Sequence, residues 1–219
     1  MATTNESPIT EVALLRLLPP TTADDVSLKA KLANAQKVME TYTGRTFFYL
    51  QQVEDPSLIY IVGEWASLKQ HMRDFIPSAD NQALLESLKD ELTVEWLLHL
   101  DCPQINLPLP KRIDGTVKPS NATIFSIARH YIKAGEKRDF KNTFEENRHY
   151  LDASVTEAII GGGCRVDKEE ENEEFVLFCP WKDIEQHFAF GKTEDFAKYA
   201  KIRDHIDGAD IKHAKILEL

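Results

Sequence analysis

Two short runs hold the residues best suited to chemistry. In the first, Trp65 is followed six positions later by His71; in the second, Trp181 is followed at the same spacing by His187. Imidazole changes charge near neutral pH, so each His is a candidate acid or base. The indole beside it is either a wall for a planar ligand or a helix-to-sheet packing residue, since a large aromatic dominates a core by area. A His kept at both positions is equally explained by packing. His99 and His213 lie on the last strand-like run of each half. The acid–base candidates are therefore His187, His71 and His213. His130 and Tyr131 have only Leu17 and Leu18 opposite them in the first half. Gly161-Gly162-Gly163 sits in a strand-like run, where Gly162 marks a bend or leaves room for a ligand. The candidate substrate contacts are Trp181, Trp65, Tyr131, His130 and Gly162. With more proton-carrying groups, the second half is the favoured active cavity.

The surrounding elements occur twice in one order. Glu11–Leu18 reads as a strand stopped by Pro19-Pro20. Val26, Leu28, Leu32, Ala35, Val38 and Met39 then recur near helical spacing, with Gly44 as a stop. Arg45–Val53 and Leu58–Gly63 form a hairpin across Glu54-Asp-Pro-Ser57. Helical runs follow at Ala66–Phe75 and Asn81–Glu91. The strand Thr93–Leu100 closes the half, with Val94, Trp96, Leu98 and Leu100 on one side and Glu95, Leu97 and His99 on the other. In the second half the strands are Ala122–Ile132, Glu157–Arg165, Phe175–Cys179 and Ala209–Leu217. Its helices are Glu136–Leu151, Trp181–Phe190 and Thr193–Ile206. Aligning Leu14-Leu-Arg16 with Ile127-Ala-Arg129 pairs Arg16 with Arg129, which favours a structural ion pair there. The order in each half is β-α-β-β-α-β, the ferredoxin-like unit. This predicts an internal duplication, with repeats at 10–101 and 122–219. The Pro-containing stretch 102–121, with Asp114-Gly115, reads as a linker, and Asp167–Glu174 as a solvated acidic hairpin tip.

Composition narrows the function. The chain has 219 residues, 42% hydrophobic and 28% charged, and a formal net charge of −10. That is ordinary for a soluble globular protein, and the acidity argues against nucleic acid and anionic membranes as partners. No run approaches a membrane span, and residues 1–9 are polar and loose, without a secretory signal. Cys102, Cys164 and Cys179 are odd in number and lack metal-site spacing. A reducing, cytoplasmic setting is expected. No phosphate loop, dinucleotide fingerprint, nucleophile elbow or zinc helix is present, so neither an organic cofactor nor a metal is expected.

The aromatic strand, the Trp, the His six positions on and the second amphipathic helix resemble the antibiotic biosynthesis monooxygenase (ABM) domain of the dimeric α+β barrel superfamily. Trp65 with His71, and Trp181 with His187, carry that resemblance. It implies an α+β fold in which the two repeats form an intramolecular pseudo-dimeric α+β barrel. It also implies a small-molecule cavity between helices and sheet, and a hydrophobic, aromatic or polyketide-like ligand of specialised metabolism. The expected function is cofactor-independent oxygenation, cyclisation or rearrangement by His acid–base chemistry. Alternatives are a non-catalytic small-molecule carrier and a haem-binding barrel protein. A homodimer is compatible with all three.

Overall fold

The structure is a computed structural model describing residues 7–113, 116–117, 121–167 and 173–219. Residues 1–6, Asp114-Gly115, residues 118–120 with Pro119, and residues 168–172 of the acidic tip lie outside the described residues. Contacts divide the chain into two compact units, Met1–Gln104 with Ile216–Leu219, and Ile105–Lys215. Most of the stretch 102–121 thus clusters with the second unit. The last four residues cluster with the first, where the Leu217 N–H donates to the Tyr49 carbonyl at 2.8 Å.

The first unit runs β1 (Ile9–Leu17), α1 (Val26–Thr43), β2 (Phe47–Gln52), β3 (Leu58–Trp65), a π-helical turn at Gln70–Phe75, α2 (Ala79–Leu88) and β4 (Leu92–Leu100). Its antiparallel strands lie in the order β4-β1-β3-β2. Helix α1 directs Leu28, Leu32, Ala35 and Met39 to the sheet, the stripe expected of a half-buried helix. Val26 is not part of that stripe; it opens the helix and is exposed. Gly44 ends the helix in the left-handed conformation (φ 69°), and its N–H returns to the Glu40 carbonyl at 2.8 Å. The side chains of α1, α2 and the helix-facing side of the sheet form one core that includes Leu15, Leu28, Phe47, Ile59, Trp65 and Phe75.

A bulge corrects the expected sidedness of β4. Leu14 faces Trp96, yet Leu15 faces Val94, so the register slips by one at Glu95. Val94 thereby joins Leu92 and Leu97 on the helix side, rather than Trp96 on the other.

At the start of the second unit, β5 (Arg112–Ile113) and β6 (Thr116–Val117) pair as a short ladder. The second unit continues with β7 (Ile124–Ile132), α3 (Lys137–Asp152), β8 (Gly161–Cys164), β9 (Glu173–Trp181), α4 (Ile184–Phe190), α5 (Glu194–Tyr199) and β10 (Ile206–Ile216). Its strand order, β10-β7-β9-β8, matches the first unit's. Phe140, Phe144 and Phe175 centre its core. The strand expected from Glu157 begins only at Gly161, because Thr156–Ala158 form a single turn with Glu157 and Ala158 at positive φ. The fold class is α+β, built from two β-α-β-β-α-β units.

Gly162 is required for close backbone approach. A Cβ there would stand 2.1 Å from the Val176 carbonyl oxygen on the neighbouring strand. The place a side chain would take is occupied by the neighbouring strand, which favours close backbone approach over room for a ligand as the reason for this glycine. Gly162→Ala is expected to lower stability by about 1–3 kcal/mol through overpacking, measured as a fall in the urea midpoint. An unchanged midpoint would mean that β8 and β9 can separate freely.

Candidate active site

The spacing from Trp to His comes from a helix cap. After Trp65, Ser67 Oγ accepts the Gln70 N–H at 3.1 Å, and Gln70 Oε1 accepts the Ala66 N–H at 2.7 Å. After Trp181, Asp183 Oδ1 accepts the Gln186 N–H at 2.8 Å, and Gln186 Oε1 accepts the Lys182 N–H at 2.7 Å. This reciprocal arrangement satisfies orphan donors at a helix start, as in a capping box. In both units it turns the next residue, His71 or His187, back over the indole. His71 stacks on Trp65 with centroids 4.1 Å apart and 6° between planes; His187 stacks on Trp181 at 4.6 Å and 14°.

Each stacked His then meets a second His from the last strand. His71 Nδ1 lies 2.6 Å from His99 Nε2, and His187 Nδ1 lies 2.8 Å from His213 Nε2. Either tautomer leaves one proton shared between the two rings.

The units differ at the residue that receives the indole N–H. Trp65 Nε1 donates to Glu11 Oε2 at 2.7 Å, whereas Trp181 Nε1 donates to Ser126 Oγ at 2.9 Å. The strand registers explain the equivalence. Ile9 pairs with Trp65 and Ile124 with Trp181, so Glu11 and Ser126 stand two residues along from matching partners. This register also replaces the expected match of Arg16 with Arg129, because Arg16 occupies the position of Tyr131. The two arginines bind different acids: Arg16 reaches Glu95 and Asp55, and Arg129 reaches Glu174.

Glu11 is 3% exposed. Burial pushes its carboxyl up to about 7, against the smaller lowering effects of the Trp65 hydrogen bond and the His99 ring. His71 Nε2 lies 3.8 Å from Glu11 Oε2, within electrostatic reach but beyond hydrogen-bond length. Glu11 is thus poised to gain or lose a proton at neutral pH beside a His–His pair. The sequence reading begins a strand at Glu11 and assigns the carboxyl no role. A usable signal was present: an acid two residues before Ala13, on the face that carries Leu15 and Leu17.

The same carboxyl opens on a cavity of about 500 Å³ between the helices and sheet of the first unit. Aliphatic residues from α1, α2 and the sheet form most of its wall, among them Leu15, Leu32, Met39, Leu84 and Leu92. Its buried polar lining residues are Glu11, His71, Tyr49 and Asn81. Phe75 joins them because the π-helical turn presents His71 and Phe75 on one side, both buried. Such widened turns occur frequently at functional sites.

The remaining sequence candidates separate. In the second unit, burial, and secondarily His213, push His187 down to about 4, leaving it neutral at pH 7. His130 lies four residues along β7 from Ser126, about 13 Å at the usual strand rise. It is buried among Phe140 and Phe175, and burial lowers it to about 4. Tyr131 projects from the opposite face of β7, is 38% exposed and lies under the Arg129 guanidinium. His130 and Tyr131 therefore do not join His187 and His213. The preference for the second half is corrected on this point: the acid–base cluster with a carboxyl belongs to the first. Cys102, Cys164 and Cys179 are free and buried, and burial pushes the Cys179 thiol up to about 12.

No family model matches the chain, and no curated protein matches it by sequence. Solved structures do match its fold. A Fusobacterium nucleatum protein provisionally named a monooxygenase superposes with a TM-score of 0.66 at 14% identity, covering 97% of this chain and 93% of its own. A Lactobacillus acidophilus protein with a similar provisional name gives 0.63 at 13% identity, covering 97% and 95%. An anthrone oxidase-like protein gives 0.63 at 11% identity, covering 97% and 92%. A provisionally named chlorite dismutase gives 0.59 at 14% identity, covering 97% and 96%. At such identities the likeness concerns fold alone. Among the described residues, no helix is long and apolar enough to cross a membrane and no cluster of three or more metal-ligating side chains occurs.

Proposed function

We propose that the first unit houses the active site of an enzyme that oxidises an apolar, aromatic or polyketide-like small molecule after removing a proton from it. The observation that carries this reading is Glu11, a buried carboxyl poised near pH 7 on the wall of an apolar cavity beside the His71–His99 pair. Perturbed acids in clefts mark functional sites more often than structural ones. The names of the neighbouring structures favour oxidation as the reaction class.

Anthrone serves as the test substrate, following the name of one neighbour. The Glu11 carboxylate takes the C10 proton, and the C–H electron pair passes into the ring system as the anthrone enolate. His71, held by His99 and by the Trp65 stack, has its Nε2 3.8 Å from Glu11 Oε2 and is the nearby group that can take this proton onward. The enolate is oxidised by dioxygen: a C–O bond forms at C10, and proton return gives a hydroperoxide. Loss of water across its O–O bond then leaves anthraquinone. One anthrone and one dioxygen become one anthraquinone and one water. A positioned acid–base group contributes about 10²–10⁴-fold to such a step.

Haem does not fit this cavity. His71 is the imidazole on its wall, and that ring is committed to His99 through Nδ1, faces Glu11 through Nε2 and is covered by Trp65. The lining also offers only Lys89 as a cation for two propionates.

Oxygen uptake with anthrone tests the proposal. His71→Gln is expected to slow turnover at least tenfold, with His187→Gln close to wild type. Equal rates in all three proteins would remove the first-unit site.

A further inference from the structure

Tyr49 stands out among the cavity residues. It comes from β2, is 2% exposed and lines the cavity of the first unit. Its ring belongs to the helix-side core, and its hydroxyl lies within electrostatic reach of the Glu11 carboxyl. A buried phenol ordinarily finds a partner, because leaving a polar group dry costs free energy. Its backbone is held on both sides, by the Ile61 pairing on β3 and by the Leu217 N–H at 2.8 Å. The donor is thus fixed on the sheet, on the wall of a cavity lined mostly by aliphatic residues.

We infer that Tyr49 is the binding residue for a single oxygen on the ligand, and that the cavity selects an apolar ring compound carrying one aryl ketone or its enolate. Two features narrow the class. The lining offers one carboxyl, one phenol, one imidazole and the Asn81 amide, and its one cation, Lys89, is exposed, so burying a carboxylate or phosphate head group there is disfavoured. The phenol stays protonated across the working pH range, since burial and the nearby Glu11 carboxylate push it well above its ordinary value. It therefore acts as a donor, and the ligand must supply the acceptor. A phenol that donates to a developing enolate oxygen, beside a carboxyl that removes the proton, stabilises charge where it forms.

The substrate class rests on the functional reading above, but binding can be tested without turnover. The probes are 1-tetralone, which carries one aryl ketone, and tetralin, the same two rings without the oxygen. Calorimetric titration of the full chain is expected to show 1-tetralone binding about tenfold tighter to wild type than to Tyr49→Phe, the loss typical of one hydrogen bond. Tetralin should bind both proteins equally, which also checks that the variant keeps its cavity. The infrared C=O stretch of bound 1-tetralone should shift to lower frequency in wild type and return towards its apolar-solvent value in Tyr49→Phe. Equal 1-tetralone affinity and an unchanged stretch in the two proteins would overturn the role of Tyr49. A Tyr49-dependent stretch without anthrone turnover in wild type would uphold the binding residue and sink the enzymatic reading alone.

Discussion

Glu11→Gln is expected to make the protein more stable at pH 8 and nearly inactive. The folded state holds the Glu11 proton up to about pH 7, whereas the unfolded chain releases it near the ordinary value of 4.5. Between these values the native state binds more protons than the unfolded state, so stability falls as pH rises through this window. Above pH 7 the full effect is present. At 1.36 kcal/mol per pKa unit it amounts to about 3 kcal/mol. Gln carries no charge to bury, and its side-chain oxygen can still accept the Trp65 N–H. The urea-derived stabilities of the two proteins should therefore converge below pH 4.5 and separate by pH 8, with the variant higher. In the same variant, oxygen uptake with anthrone should fall by about 10²–10⁴-fold. Equal stability at pH 8 would show that the native carboxylate is better solvated than its burial indicates. Such an exchange of stability for activity is common where a site is built from a desolvated charge.

Trp65→Ala is expected to be the most damaging single truncation in the first unit. The indole is fully buried, stacks on His71, packs edge-on to Phe47 at 5.4 Å and touches Phe75 at 4.9 Å. Removing a buried Trp side chain costs about 3–5 kcal/mol through lost burial and the cavity left behind. Here the loss also strips Glu11 of its hydrogen-bond donor. Trp65→Phe weights the two effects differently, because it keeps an aromatic ring in the core and deletes the N–H while leaving a smaller void than Ala does. The N–H holds the Glu11 carboxyl down. Its loss should move the acid limb of the pH–rate profile to higher pH, while the protein remains folded. A large fall in the urea midpoint of Trp65→Ala, together with a displaced profile in Trp65→Phe, is the expected pair of results. A profile that does not move would mean that the indole serves packing alone.

Much of the fold was legible because local rules carried it. Period-2 and period-3.6 patterning, Gly44 and the Glu54-Asp-Pro-Ser57 turn marked elements whose ends shifted by only a few residues in the first unit. The Trp–His spacing was legible as a repeat, but its cause was not recognised: Ser67 with Gln70, and Asp183 with Gln186, cap the following turn. Those residues were available in the sequence as a capping pattern. The alignment of the first strands failed because Arg16 and Arg129 were matched by identity, whereas strand pairing with the Trp-bearing strand sets the register.

By itself, the sequence determined the α+β class, the two β-α-β-β-α-β units and the placing of a His after each Trp. These depend on hydrophobic period and turn chemistry, which act over a few residues. Only the tertiary structure decided which polar residues meet. Glu11, Tyr49, His71 and His99 come from four separate elements, and nothing in their spacing reveals that the first three line one cavity while His99 pairs with His71. It also decided that Glu11 should titrate near neutrality, because desolvation depends on what packs around a carboxyl rather than on its neighbours in the chain. Tertiary packing likewise sent His130 into an aromatic core and Tyr131 to the other face of the sheet, although they are adjacent in sequence.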